Sequence, residues 1–375
     1  MIKLPDTITD KALRRIAAKV YEGTPVNKAD AGLLLTTNSI LDLGRISSYV
    51  RTRLHGYAAY YGVSINLNFT NICTLRCPLC AFSRDEGQEG AYLLQLADIE
   101  RKVKKAAAAG VDEVHIVGGL NPALKLDYFE EMLRRIKKIS PDIFITAFTA
   151  VEIDYFAKNE GISVEKTLGR LIAAGLGAMP GGGAEIFSPR VRQAIAPLKI
   201  PGSRWLEIMR LAHKTGLKTN ATMLYNHLET KSDIIDHLSR LRDLQEETQG
   251  FKTFVPLPFH GENTGIKARR AGSTGYDDIR IYSASRIFLH NIPHIKALWM
   301  YLGERMAQVL LRFGVDDFSG TYGGEKVVHA AGAGTADHGT EAFLKDLITN
   351  AGFRPVRTTA AYGARVARGR QKAGL

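Results

Sequence analysis

Three cysteines, Cys73, Cys77 and Cys80, stand within eight residues of one another, and the rest of the 375-residue chain has none. An odd number at so close a spacing cannot make a disulfide framework. It points instead to a metal or cluster site in a reducing compartment. Thiolates are the usual ligands of iron–sulfur clusters, and four of them normally hold a [4Fe–4S] cube. Three leave one iron without a protein ligand. That open position lets a substrate bind the metal directly, much as a catalytic zinc site keeps a water position free. Structural zinc is the competing reading, but it needs four closed ligands, and no fourth Cys or nearby His completes a familiar zinc spacing.

The elements that position this loop are read from the hydrophobic pattern. Short runs rich in β-branched and apolar residues predict strands at 63–69, 114–117, 143–147, 178–180, 218–223, 251–257, 294–298 and near 313–315. Helical patterns at 97–109, 127–139, 164–174, 203–215, 231–247, 276–289 and 303–311 separate most of them. This order of β-then-α units predicts an α/β fold, a (β/α)8 TIM-type barrel, with a doubly wound sheet as the alternative. Two helical stretches, 8–21 and 30–38, belong to an N-terminal segment (1–55) expected to pack on the barrel. The barrel itself is expected over 56–345, followed by a C-terminal extension, 346–375, with a basic tail. Function in such a barrel sits in the loops after each strand's C-terminal end. NICTLRCPLC follows the first strand, GGLNP the second, TAVE the third, PGGGAE the fourth, LYNHLET the fifth and PFHGEN the sixth. All of them fall on one side.

Composition narrows the class. Hydrophobic content of 45% and charged content of 23% are ordinary for a soluble globular enzyme. No apolar run reaches the roughly 18 residues that span a bilayer, and the first residues carry acids and lack a signal peptide's apolar stretch. A cytoplasmic protein with no stable membrane insertion is therefore expected. The net charge of +12 fits nucleic acid, an acidic membrane surface or anionic small substrates. Part of it lies in residues 354–375, with six Lys or Arg and no acid, which read as a solvated end. No helix-turn-helix, zinc finger or RNP-like motif accompanies the charge, so nucleic acid is not an expected partner.

The Cys-x3-Cys-x2-Cys spacing resembles that of the radical S-adenosylmethionine (SAM) superfamily. The resemblance implies a [4Fe–4S] cluster on Cys73, Cys77 and Cys80, with SAM chelating the remaining iron. An electron from a low-potential donor such as flavodoxin or ferredoxin then splits the sulfonium to a 5′-deoxyadenosyl radical. Where the family usually has an aromatic residue beside the adenine, just before the third Cys, this chain has Leu79. From 38 to 353 the chain looks like the aminodeoxyfutalosine synthases, whose relatives are the dehypoxanthine futalosine cyclases and the deazaflavin-core synthases. The shared text is CAFSR (80–84), GGL-x-P (118–122), PGGGAEIF (180–187), ATMLY-x-H-x-ET (221–230) and LR-x-LQ (241–245). TAFTAVEI (146–153) and the His-bearing EK-x-x-HAAGA (325–333) favour the synthases. In that group the adenosyl radical adds to 3-[(1-carboxyvinyl)oxy]benzoate. Rearrangement and loss of the side-chain carboxylate give aminodeoxyfutalosine, a step of menaquinone biosynthesis in which SAM is consumed. A hydrogen-abstracting relative is the alternative, and a non-catalytic iron–sulfur or zinc carrier is the alternative of a different class.

Site residues follow from both readings. Gly118 and Gly119 permit close backbone approach suited to SAM's ammonium, or form an ordinary turn. Three glycines before Glu185 remove side chains where a ligand lies against backbone, with Glu185 accepting from ribose hydroxyls; a plain flexible loop is the alternative. Thr222 matches the adenine-contacting strand. Asn226 replaces a family Gly and tolerates left-handed dihedrals. Asn121 replaces a family His and can still hydrogen-bond a carboxylate or carbonyl. His227, His260 and His329 are candidate substrate contacts or structural histidines. Arg84 is a candidate bidentate partner for a substrate carboxylate, or a salt bridge at the barrel mouth.

Overall fold

The computed structural model describes residues 3–268 and 272–363; the basic end of the tail, 364–375, lies outside the described residues. Ten strands run in chain order: β1 (Ala58–Gly62), β2 (Ser64–Leu67), β3 (Glu113–Ile116), β4 (Phe144–Ala147), β5 (Ala178–Met179), β6 (Lys218–Tyr225), β7 (Phe251–Pro258), β8 (His294–Ile295), β9 (Asp317–Gly320) and β10 (Arg354–Arg357). β2 to β8 form one curled parallel sheet in sequence order. β9 stands in the eighth position, joined to β8 through Lys296↔Asp317, while Ile65↔Gly323 links the segment just after β9 to β2. The barrel thus closes through two narrow seams. Among the described residues no helix is long and apolar enough to cross a membrane.

Several of the helices between strands start where a side chain satisfies their free N–H groups. Thr149, Thr230 and Thr274 each close a capping box with the acid three residues on, Glu152, Asp233 and Asp277. The helices bury apolar faces against the outside of the sheet. Phe129 and Phe156 stack at 4.1 Å, with Phe69 and Phe148 edge-on to Phe129.

Two strands escape the hydrophobic pattern. β1 precedes the first predicted strand and lies between β10 and β9 in a second parallel sheet. β10, Arg-Pro-Val-Arg, reads as neither strand nor helix because it is charged and holds a proline, a residue tolerated on edge strands. The last barrel strand begins at Asp317 rather than near 313–315. Phe313 packs against the helix Ile40–His55, where a Cβ on Gly44 would meet its ring at 2.6 Å. That helix is the third of the N-terminal segment, after Lys11–Glu22 and Lys28–Leu34. Its buried Arg51 donates to the carbonyls of Val315 (3.2 Å) and Ala58 (2.5 Å), stitching the segment to both ends of the barrel sequence.

Candidate active site

The loop after β2 is tied into a closed shape by its own backbone. Cys73 N–H donates to the Arg84 carbonyl (3.1 Å) and Arg84 N–H to Asn71 (2.8 Å), so the cysteine run returns to its starting point. Leu79 N–H donates to Ile195 and Cys80 N–H to Cys77. The Arg84 guanidinium bonds the carbonyls of Ala81 and Ser83, both at 2.9 Å. Cys73, Cys77 and Cys80 all face one cavity of about 380 Å³ inside the barrel. Burial pushes the Cys77 thiol up to about 11, against the pull of the Lys199 ammonium. A thiol so placed stays neutral until a cation stabilises its thiolate.

Glycines shape the wall beside it. A Cβ on Gly119 would lie 2.2 Å from the Ile72 carbonyl oxygen, so this glycine lets the loop after β3 pack onto the cysteine loop itself. A Cβ on Gly181 would strike Thr222, whose hydroxyl donates to the Gly181 carbonyl at 2.6 Å. Arg192 donates to the carbonyls of Gly183 (3.2 Å) and Ala184 (2.6 Å), fixing this trough from behind. Glu185 adopts φ +46°, and its carboxylate takes a 2.6 Å ion pair from Lys199. Burial would push the Glu185 carboxyl up, but Lys199 outweighs it, and the group stays below its usual range.

Deeper in, several of the strand residues lining the cavity are polar, beside the apolar Val255 and Leu257 of β7. Asn66 and Asn68 from β2 and the turn after it, Glu113 and His115 from β3, Asn220 from β6 and Asp317 from β9 line the cavity. The amide oxygens of Asn66, Asn68 and Asn220 are buried without a hydrogen-bond partner among the described residues. Buried polar atoms are normally satisfied, so unpartnered ones around a cavity mark where a ligand's donors would sit. Glu152 lines the same wall. It accepts from Gly118 N–H (3.1 Å) and from Thr149 N–H (2.7 Å), and burial pushes its carboxyl up to about 7.

The cavity wall brings together Cys73, Cys77, Cys80, Leu79, Gly118, Gly119, Glu185, Thr222 and His260, and it does not include Arg84, Asn121, His227 or His329. The Asn121 side chain accepts from Ala123 N–H in a tight turn (3.0 Å). His227 donates from Nε2 to the Leu224 carbonyl (3.0 Å), and Asn226 beside it takes φ +68°. His329 Nε2 donates to the Thr335 carbonyl (3.0 Å), next to Val327, Val328 and Ala331 on the wall. Glu152, Lys199, Asn66, Asn68, Asn220 and Lys296 were not legible as site residues. Two signals were available: the Thr-x-x-Glu capping box, and alternate polar residues within parallel strands that ordinarily read as continuous apolar runs.

Residues 67–241 match the family model "Radical SAM superfamily", and residues 248–370 match "CofH/MqnC C-terminal region". The chain is 41% identical to the aminodeoxyfutalosine synthase of Thermus thermophilus, over 95% of this chain and 96% of that protein. The chain belongs to the radical SAM superfamily. This radical SAM enzyme is also 38% identical, over 85% of its length and 87% of the relative's, to the 5-amino-6-(D-ribitylamino)uracil–L-tyrosine 4-hydroxyphenyl transferase of Methanopyrus kandleri. The crystal structure of methylornithine synthase shares its fold at a TM-score of 0.71 and 16% identity, over 91% of this chain and 97% of that one. A radical SAM enzyme uses a [4Fe–4S] cluster and SAM. Three thiols of one loop, and a glycine trough that side chains would fill, fit those two groups.

Proposed function

We propose that this radical SAM enzyme is an aminodeoxyfutalosine synthase. The similarity to the Thermus thermophilus synthase along nearly the full length of both chains carries this reading. On it, Cys73, Cys77 and Cys80 would hold the cluster, and Gly118, Gly119, Leu79, Glu185 and Thr222 would hold SAM. When bound and reduced, the cluster supplies the electron that releases the adenosyl radical from SAM. The chain's own residues do the rest. The polar barrel interior and His260 orient 3-[(1-carboxyvinyl)oxy]benzoate so that its enolpyruvyl double bond faces the adenosyl carbon. The enclosing wall keeps water and quenchers away from the radical. Arg84, Asn121, His227 and His329 act as positioning residues, bonded respectively to the backbone of Ala81, Gly119, Leu224 and Glu325 on the cavity wall. A thiolate-held cluster calls for a reducing compartment, the cytoplasm, and a low-potential donor such as flavodoxin or ferredoxin.

The second reading is a hydrogen-abstracting enzyme, favoured by the 38% identity to the hydroxyphenyl transferase. Anaerobic reconstitution followed by carbon-labelled SAM, dithionite and the enolpyruvyl benzoate separates the two. Labelled adenosine bound covalently to the aromatic product, in step with methionine, is the expected result. Free 5′-deoxyadenosine as the dominant product would favour the second reading.

A further inference from the structure

The inner end of the cavity carries three charged residues, Glu113, Lys296 and Asp317, with the buried Lys252 close to them. Glu113 and Asp317 are the first residues of β3 and β9, whereas the cysteines lie beyond the other end of β2. Lys296, just after β8, lines the cavity with its Nζ 3.3 Å from an Asp317 oxygen. Lys252 on β7 feels the charges of Glu113, Lys296 and Asp317, and its side chain is buried.

The acids are satisfied by other donors. Glu113 accepts from Thr146 Oγ1 (2.8 Å) and Ala360 N–H (2.7 Å). Asp317 accepts from Ser319 N–H (2.6 Å) and from the Tyr362 hydroxyl. The bases are not so provided for. An ammonium has three N–H donors, and Asp317 is the one ion-pair partner of Lys296 among the described residues. Lys252 is 7% exposed, and its Nζ makes no hydrogen bond among the described residues. Burial pushes that ammonium down to about 7 despite Glu113 nearby. A buried amine without an acceptor is costly unless an anion arrives to take its protons.

We propose that Lys296, backed by Lys252, is a carboxylate subsite that receives the end of the substrate remote from the reacting bond. The inference rests on the enolpyruvyl benzoate reading. With the enolpyruvyl group at the cysteine end, the ring carboxylate is the group that reaches Lys296. Lys296 is thereby a specificity-determining residue for aromatic acids over neutral analogues.

The test compares the enolpyruvyl benzoate with its ring benzamide, in cluster-loaded protein, by equilibrium binding and by adduct yield. Wild type should bind the benzamide roughly 10- to 100-fold more weakly, the range of a hydrogen bond to a charged group. Lys296→Gln should bind the two almost equally at unchanged iron content, and Lys296→Arg should restore most of the preference. Lys252→Met should shrink it several-fold, and gives a reading if Lys296→Gln loses iron. Equal wild-type affinity for acid and amide overturns the subsite, as does a preference that survives in both Lys296→Gln and Lys252→Met. Preference intact but no adenosyl adduct in wild type overturns the reaction reading and retains the subsite.

Discussion

Cys77 sits in a setting that keeps an isolated thiol protonated, so metal binding is what makes it a thiolate. Cys77→Ala should strip most of the iron and abolish turnover, read by iron analysis and by methionine release. Full iron with full turnover in this variant would remove the cysteine loop from the chemistry. Glu185→Gln is a milder change: the Lys199 ion pair loses its charge while all three cysteines are retained. SAM affinity should drop roughly tenfold with iron unchanged, a loss of the size expected for one charge-assisted contact. An unchanged dissociation constant for SAM would return Glu185 to the loop. At this scale the sequence exposes what is local. The three cysteines and the glycine trough announce themselves by spacing along the chain. Lys199 meets Glu185 only when the β5–β6 connection folds back around the helix Pro189–Ile195, and Lys296 meets Asp317 only when β8 and β9 lie side by side, so no spacing rule finds them.

Between strand and helix, the ionic network behind the β8–β9 seam decides stability. Asp316 is fully buried and takes charge from Arg286, also fully buried, and from His294 Nδ1 at 2.6 Å. Burial would push the Asp316 carboxyl up, but Arg286 and the His294 and His55 rings outweigh it and hold it at about 2. Asp316→Asn strands the Arg286 charge and should cost about 3–5 kcal/mol, seen as a fall in thermal midpoint of several degrees. The sign of the pH effect follows from the lowered pKa. The stabilising contribution is complete above the unfolded carboxyl's value near 3.8 and is lost as pH falls towards about 2. Wild type should therefore lose stability through that window, and Asp316→Asn should lose less. Equal acid midpoints would show that the network does not drive acid unfolding. Most strands were legible because their β-branched runs are bounded by helical periodicity. β9 was displaced and β10 missed because charge pairing and a partner strand hold them, rather than an apolar pattern of their own.

For the molecule as a whole, residues 354–362 act as a floor. Thr358, Thr359 and Ala360 line the cavity, and Tyr362 stacks on His294 at 3.6 Å. A chain ending at Phe353 would lose that floor along with one of the two partners of β1. With the enolpyruvyl benzoate supplied, it should release a larger share of free 5′-deoxyadenosine relative to adduct, because solvent then reaches the radical. Product analysis at matched iron content reads this directly; an unchanged ratio would mean that the floor is merely structural.

The place of β1 also has a consequence for synthesis. Ala58 pairs with Arg354, and Tyr60 with Asp317, so β1 waits for partners made hundreds of residues later. At ordinary elongation rates that wait is on the order of tens of seconds. Throughout it the nascent chain carries an unpaired strand edge, open to pairing with other chains. A ribosome that stalls before β10 thus leaves behind an open sheet with exposed edges, and yield in the cell depends on translating through Arg357.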